Sequence, residues 1–164
     1  MRGRIWVVMG AVAVAATVAI VGVGLALEDD EASVSQTDYQ AAVVNARNRV
    51  DFALGRLSKA QSPEELLGRM DEAADAIGDT AGDLDDMDAP DPYADAHGRL
   101  VEQLEQLAAD VQGIADQART PGFEDTLTGA RGFDFESWDA INSILAELRG
   151  RGIDVEPLAR QTTA

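Results

Sequence analysis

Residues 5–27 run for 23 positions without a charged side chain. A helix rises about 1.5 Å per residue, and a bilayer core about 30 Å thick needs roughly 20 residues. The run is therefore long enough to span a membrane with some tilt. Arg2 and Arg4 stand before it, and Glu28, Asp29, Asp30 and Glu31 stand after it. Positive charge stays on the cytoplasmic side. The reading is a short cytoplasmic tail (1–4), a single transmembrane anchor (5–27) and an extracytoplasmic remainder in the cell envelope. Trp6 falls near the inner interface, where an indole is well solvated at both ends. The rival reading is a cleaved signal peptide. Gly24-Leu25-Ala26 offers a small-x-small cleavage site, although secretory apolar regions usually run for only about 7–15 residues. The chain has no Cys, so no lipidated cysteine replaces the helix as an anchor.

Ala11, Ala15, Ala19, Gly22 and Ala26 fall on one stripe of this run. Small residues at that spacing let helices approach closely in lipid. In a run so rich in Ala and Gly the stripe also arises by chance, so self-association stays open.

Charge is distributed unevenly. Of the 13 basic residues, 11 follow the apolar run, as do all 30 acidic ones, which leaves −19 beyond Leu27. Such a surface repels phosphate backbones and anionic lipid headgroups, which excludes nucleic-acid binding as a function. It keeps the domain soluble and leaves cations or a basic envelope protein as partners. Aromatic residues make up 5% of the chain, with Ala and Leu abundant, which favours packed helices over sheets. Without Cys there is no disulfide framework, so packing alone must hold the fold.

Helical spacing recurs through the remainder. Residues 28–37 read as a polar linker. Ser35 or Thr37 offers an N-cap, and Tyr39, Val43, Ala46, Val50, Ala53 and Leu57 share one face of a helix expected over 38–60. Ser62-Pro63-Glu64-Glu65 places Ser62 at N-cap, Pro63 at N1 and Glu65 at N3 of a capping box. Leu66, Met70, Ala73, Ile77, Ala81 and Leu84 then mark a second helix, ending near Met87 because Pro90 and Pro92 follow. Asp91-Pro92 opens a third, whose seam is Tyr93, His97, Leu100, Leu104, Leu107, Val111, Ile114 and Ala118. Thr120-Pro121-Gly122 stops it, and a helical turn over 124–128 is one option for the next stretch. Phe135, Trp138, Ile141, Leu145 and Leu148 mark a fourth, shorter helix. Gly150 or Gly152 suits its left-handed C-cap, with Ile153 or Val155 folding back.

The expected fold class is therefore all-α: a single N-terminal transmembrane helix followed by an antiparallel three- to four-helix bundle over 38–149. Residues 150–164 are expected to form a C-terminal tail, disordered after Leu158. Short Pro-marked connections favour packing within one chain over a seam shared with a second copy.

The chemistry expected of these residues is sparse. His97 is the sole His and lies on the third seam, where a core or boundary role is expected. Glu-x-x-His, the di-iron signature of helical bundles, is absent, since Ala94 stands three residues before His97. No G-x-S-x-G or S-x-x-K marks a nucleophile. Asp83, Asp85, Asp86, Asp88 and Asp91 invite a calcium hypothesis, but Leu84, Met87 and Pro90 interrupt the alternation that a calcium loop needs. No catalytic, cofactor-binding or metal-ligating residue is singled out, and no cofactor is expected. The expected function is a non-enzymatic protein-binding or structural module. A ligand-binding sensor acting through a membrane partner is the alternative, and a hydrolase using two inward carboxylates a third.

The stretch Pro90-Asp91-Pro92-Tyr93-Ala94-Asp95-Ala96-His97-Gly98-Arg99-Leu100-Val101 resembles a pattern met in uncharacterised, membrane-anchored helical extracytoplasmic proteins of actinobacteria. There a Pro-rich turn precedes a helix with His and then Leu. The preponderance of Arg over Lys, with Lys59 the single Lys, is of a kind with a GC-rich genome. The resemblance covers the junction of the second and third helices, implies a packing pattern, and implies no activity.

Overall fold

Ser35 starts the first helix. Its hydroxyl accepts from the Asp38 amide at 3.1 Å and donates to the Asp38 carboxylate at 2.7 Å, satisfying one of the free N–H groups at a helix start. In this computed structural model, which describes residues 34–120 and 135–159, helix α1 spans Gln36–Leu57. It begins two residues before the expected 38 and stops three before the expected 60. Ser58 ends it: its hydroxyl donates to the Gly55 carbonyl, and the Lys59 and Ala60 amides turn back in tight i→i−3 bonds.

Helix α2 (Pro63–Asp85) carries the cap expected of it. The Glu65 amide donates to the Ser62 hydroxyl at 3.1 Å. The Glu65 carboxylate reaches one residue further back than a standard box, accepting from the Gln61 amide at 2.8 Å. Asp91-Pro92 does not open an α-helix directly. Asp91–Tyr93 forms a single 3₁₀ turn, closed by the Tyr93 amide on the Pro90 carbonyl, and helix α3 (Ala94–Ala118) follows without a side-chain cap. Helix α4 spans Glu136–Gly150.

Interhelix pairs establish direction. Arg56 meets Glu72 and Arg49 meets Asp83, so α1 and α2 run antiparallel. Arg119, just past the end of α3, meets Asp71 near the start of α2. Arg99 meets Glu147, and Ser137 meets Asp110, which makes α3 and α4 antiparallel. Each helix packs on its neighbour in chain order. The described residues thus form an all-α bundle of four helices, with fully buried Val43, Met70, Ile77, Leu107, Leu145 and Leu148 in its core.

The seam of α3 drifts. Ile114, expected inside, is only half-buried, and Ala115 is fully buried in its place. A straight helix rotates about 20° per heptad relative to an ideal 3.5-residue repeat, so by the last turns the buried stripe has moved one position on.

The stretch expected as a tail is part of the body through Ala159. The Ile153 amide bonds the Leu148 carbonyl and the Gly152 amide bonds the Arg149 carbonyl, with Gly152 at φ +96°. This is a Schellman end, and Gly152 rather than Gly150 supplies its left-handed residue. Both expected fold-back residues, Ile153 and Val155, are buried, and Leu158 joins them. Side chains of α1 and α4 hold the main chain of this segment. Arg47 donates to the Pro157 carbonyl at 2.6 and 3.1 Å, Gln40 accepts from the Asp154 amide, and Asp51 accepts from the Ala159 amide. Asn142 accepts from the Leu158 amide. The segment closes the side of the bundle between α1 and α4. Arg47 and Asp51, which lie off the apolar face of α1, therefore face protein as well.

Among the described residues, no helix is long and apolar enough to cross a membrane. The expected anchor at 5–27 with its small-residue stripe, the turn at 124–128 and residues 160–164 lie outside the described residues.

Candidate functional site

Apart from Phe135 and Trp138 at the start of α4, the aromatic side chains of the core gather at one end of the bundle. There Tyr39 from α1 stacks on Tyr93, with ring centroids 5.2 Å apart and planes 11° from parallel. His97, one turn into α3, tilts against Tyr39 at 5.7 Å and 59°. Tyr39 is fully buried, Tyr93 is 5% exposed and His97 8%. Because Tyr39 and Tyr93 both stand at helix starts, α1 and α3 run parallel across the bundle. The end of α4 caps the group, with the Tyr93 hydroxyl donating to the Arg151 carbonyl at 3.4 Å and the Arg151 guanidinium donating to the Pro92 carbonyl at 2.7 Å.

Two polar atoms in this cluster lack a protein partner, Tyr39 Oη and His97 Nδ1. A buried polar group without a partner costs about 1–3 kcal/mol, which makes this the most strained polar site in the described core. Burial, with Tyr93 second, pushes the Tyr39 phenol up to about 12. Burial also pushes the His97 imidazole below its ordinary value. A main-chain hydrogen bond at Leu84 and the Asp85 carboxylate pull the other way without overcoming it.

Of the other buried polar groups, two are satisfied within the protein. Thr80 donates to the Ala76 carbonyl at 2.6 Å, and Ser137 donates to Asp110 at 2.9 Å. Trp138 Nε1 is buried without a protein partner, as are Tyr39 Oη and His97 Nδ1. The void among α1, α3, α4 and the C-terminal segment is about 10 Å³, lined by Val43, Val50, Leu104, Ile141 and Leu158 among others. That is room for one water molecule at most.

The described arginines of the surface are paired. Every described arginine makes an ion pair, including Arg119 with Asp71 and Asp116, and Arg149 with Glu156. Carboxylates remain in excess. Of the acidic stretch singled out above, Asp83 is spent on Arg49 and Asp85 lies beside His97. Among the described residues no group of three or more His, Asp or Glu side chains could hold a metal ion.

Periodicity had placed Tyr39, Tyr93 and His97 each on a buried face. That the three meet was not legible, because it depends on which helix ends coincide. The clamp of Gln40, Arg47, Asp51 and Asn142 was missed as well. Its one signal is the presence of three apolar residues, Ile153, Val155 and Leu158, beyond a glycine turn.

No family model, curated protein or solved structure matches the chain.

Proposed function

We propose that this protein is a membrane-anchored extracytoplasmic module that binds another envelope protein or serves structurally, without catalysing a reaction. The observation that carries the reading is the uncharged run at 5–27, bracketed by two arginines before it and four carboxylates after it. Two features support the rest. Helix α1 is capped at Ser35, eight residues beyond Leu27, so an anchor at 5–27 would hold it close to the lipid. Among the described residues the void between α1, α3 and α4 holds one water at most, in keeping with recognition at the surface. That surface has no unpaired arginine among the described residues and an excess of carboxylates, so a partner with basic groups suits it best.

The test is fractionation and protease protection of the full chain carrying a C-terminal tag. An anchored module stays with membranes through alkaline carbonate washing, and outside protease removes its tag. A soluble product with an intact mass beginning near Leu27 would replace this reading with secretion after cleavage at Gly24-Leu25-Ala26. Proximity labelling in the same membranes would then identify the neighbours.

A further inference from the structure

All the buried titratable side chains of the described core, Tyr39, Tyr93 and His97, meet at one end of the bundle. They join three helix ends: the first turns of α1, the last turn of α2 at Leu84 and Asp85, and the start of α3. His97 is the single His of the chain, and histidine is the side chain that ordinarily gains charge between pH 8 and 5.

We propose that this aromatic joint is an acid-responsive latch, in which protonation of His97 releases the first turns of α1 and α3 from the end of α2 while the middle of the bundle stays folded.

The surroundings of the ring explain the direction. From α1 it meets the Tyr39 phenol, which is neutral. From α2 it meets the Leu84 main chain and the Asp85 carboxylate, but Asp85 is exposed and its charge is screened by water. Beyond Tyr39, the Tyr93 hydroxyl donates a hydrogen bond to the Arg151 carbonyl, while the Arg151 guanidinium is turned to Pro92 and Glu147. No carboxylate is buried against the ring among the described residues. An imidazolium there would be a desolvated charge with one screened counterion, whereas in an opened joint it would be hydrated. The neutral ring therefore belongs to the closed state. Burial depresses its proton affinity in agreement with that assignment. As pH falls through the ordinary histidine range, the open state takes up the proton first, so opening becomes easier. The response is local because the buried side chains of the middle, Leu104, Leu107 and Val111 with Ile77 and Leu145, are all aliphatic. The inference concerns the folded body and stands whether or not residues 5–27 remain attached.

The experiment is amide hydrogen exchange on the full chain at about pH 7.5 and about pH 5.5, corrected for intrinsic exchange, on wild type, His97→Gln and His97→Phe. Wild type should open several-fold more readily at the lower pH in the first turns of α1 and α3, with residues 104–111 unchanged. Both variants should lose that pH response. An equal response in wild type and variants, no response in wild type, or one spread over all four helices would overturn the latch. Should neither variant fold, the His97 titration in wild type decides: a ring titrating at or above the ordinary value overturns the proposal, and one titrating below it supports it.

Discussion

At the end where α1 and α3 begin, polar groups lie inside the protein. Tyr39, Tyr93 and His97 are packed ring to ring, and two of their polar atoms have no protein partner. At the opposite end, where α1 and α3 finish, polar groups stay outside and pair. Arg69 donates to the Arg56 carbonyl and to Glu65, Arg56 meets Glu72, and Arg119 meets Asp71 and Asp116. The first end gains burial of large rings and keeps a polar penalty. The second keeps its charges in water and gains little from each pair. The difference teaches where the fold is sensitive: to side-chain removal and to pH at the aromatic end, and to capping more than to charge at the other.

Removing a ring should have the largest effect. Tyr39→Ala should cost about 3–5 kcal/mol, the range for deleting a buried aromatic, measured by urea unfolding. A cost no greater than that of an exposed substitution would mean that the aromatic joint does not bear on stability. Gly152→Ala comes next, at about 1–2 kcal/mol, because an L side chain resists the left-handed backbone. The added Cβ would meet only Gln36 Nε2 at an ordinary 3.6 Å, so the cost is conformational. A neutral thermal melt would show that the turn into the C-terminal segment is not held at positive φ.

At the opposite end, Ser62→Ala should lower stability by about 1 kcal/mol, the usual worth of an N-cap. Arg119→Ala should cost less, about 0–1 kcal/mol, since the Arg119 and Asp71 side chains are 42% and 41% exposed. A double-mutant cycle with Asp71→Asn would measure their coupling. If Arg119→Ala proved costlier than Ser62→Ala, the contrast between capping and charge at that end would fail.

The smallest effect sharpens the contrast most. Tyr39→Phe removes a buried hydroxyl without a protein partner, so it should leave stability unchanged or raise it by up to about 1 kcal/mol. It should also remove a pH dependence. The folded-state value of Tyr39 is raised from 10.0 to about 12, so the unfolded chain loses that proton first. Stability should therefore fall as pH rises above about 10 in wild type, and less steeply in Tyr39→Phe. Acid acts in two separate windows. His97, lowered, withdraws stability as pH falls through the histidine range. Glu65, Asp71 and Glu147 are lowered chiefly by the Gln61 amide, Arg119 and Arg99 respectively. They contribute stability above the ordinary carboxylate range and lose it only as pH falls below.

Much of the fold could be read along the chain. Ser62-Pro63 announced α2 because a cap is local chemistry, complete within four residues. The apolar faces of α1, α2 and α4 followed helical spacing for the same reason. The fold-back after Gly152 was legible as an option, since a left-handed glycine followed by an apolar residue is a local motif. Its continuation to Leu158 was not. That segment has no periodicity of its own, and side chains from α1, 108 residues away in sequence, and from α4, 16 residues away, hold its main chain. The shift from Ile114 to Ala115 was equally hidden, because it accumulates over several turns.

By itself the sequence determined the helices, their caps, the lack of any thiol chemistry and the acidic surface, all of which depend on residues a few positions apart or on composition. Only the tertiary structure decided that Tyr39, Tyr93 and His97 form one joint, that Arg47 and Asp51 face protein, and that the supposed tail closes the bundle. The physical reason is that helix spacing reports which side of a helix is dry, whereas the identity of the neighbour is set by which ends meet when four dry sides close on one another.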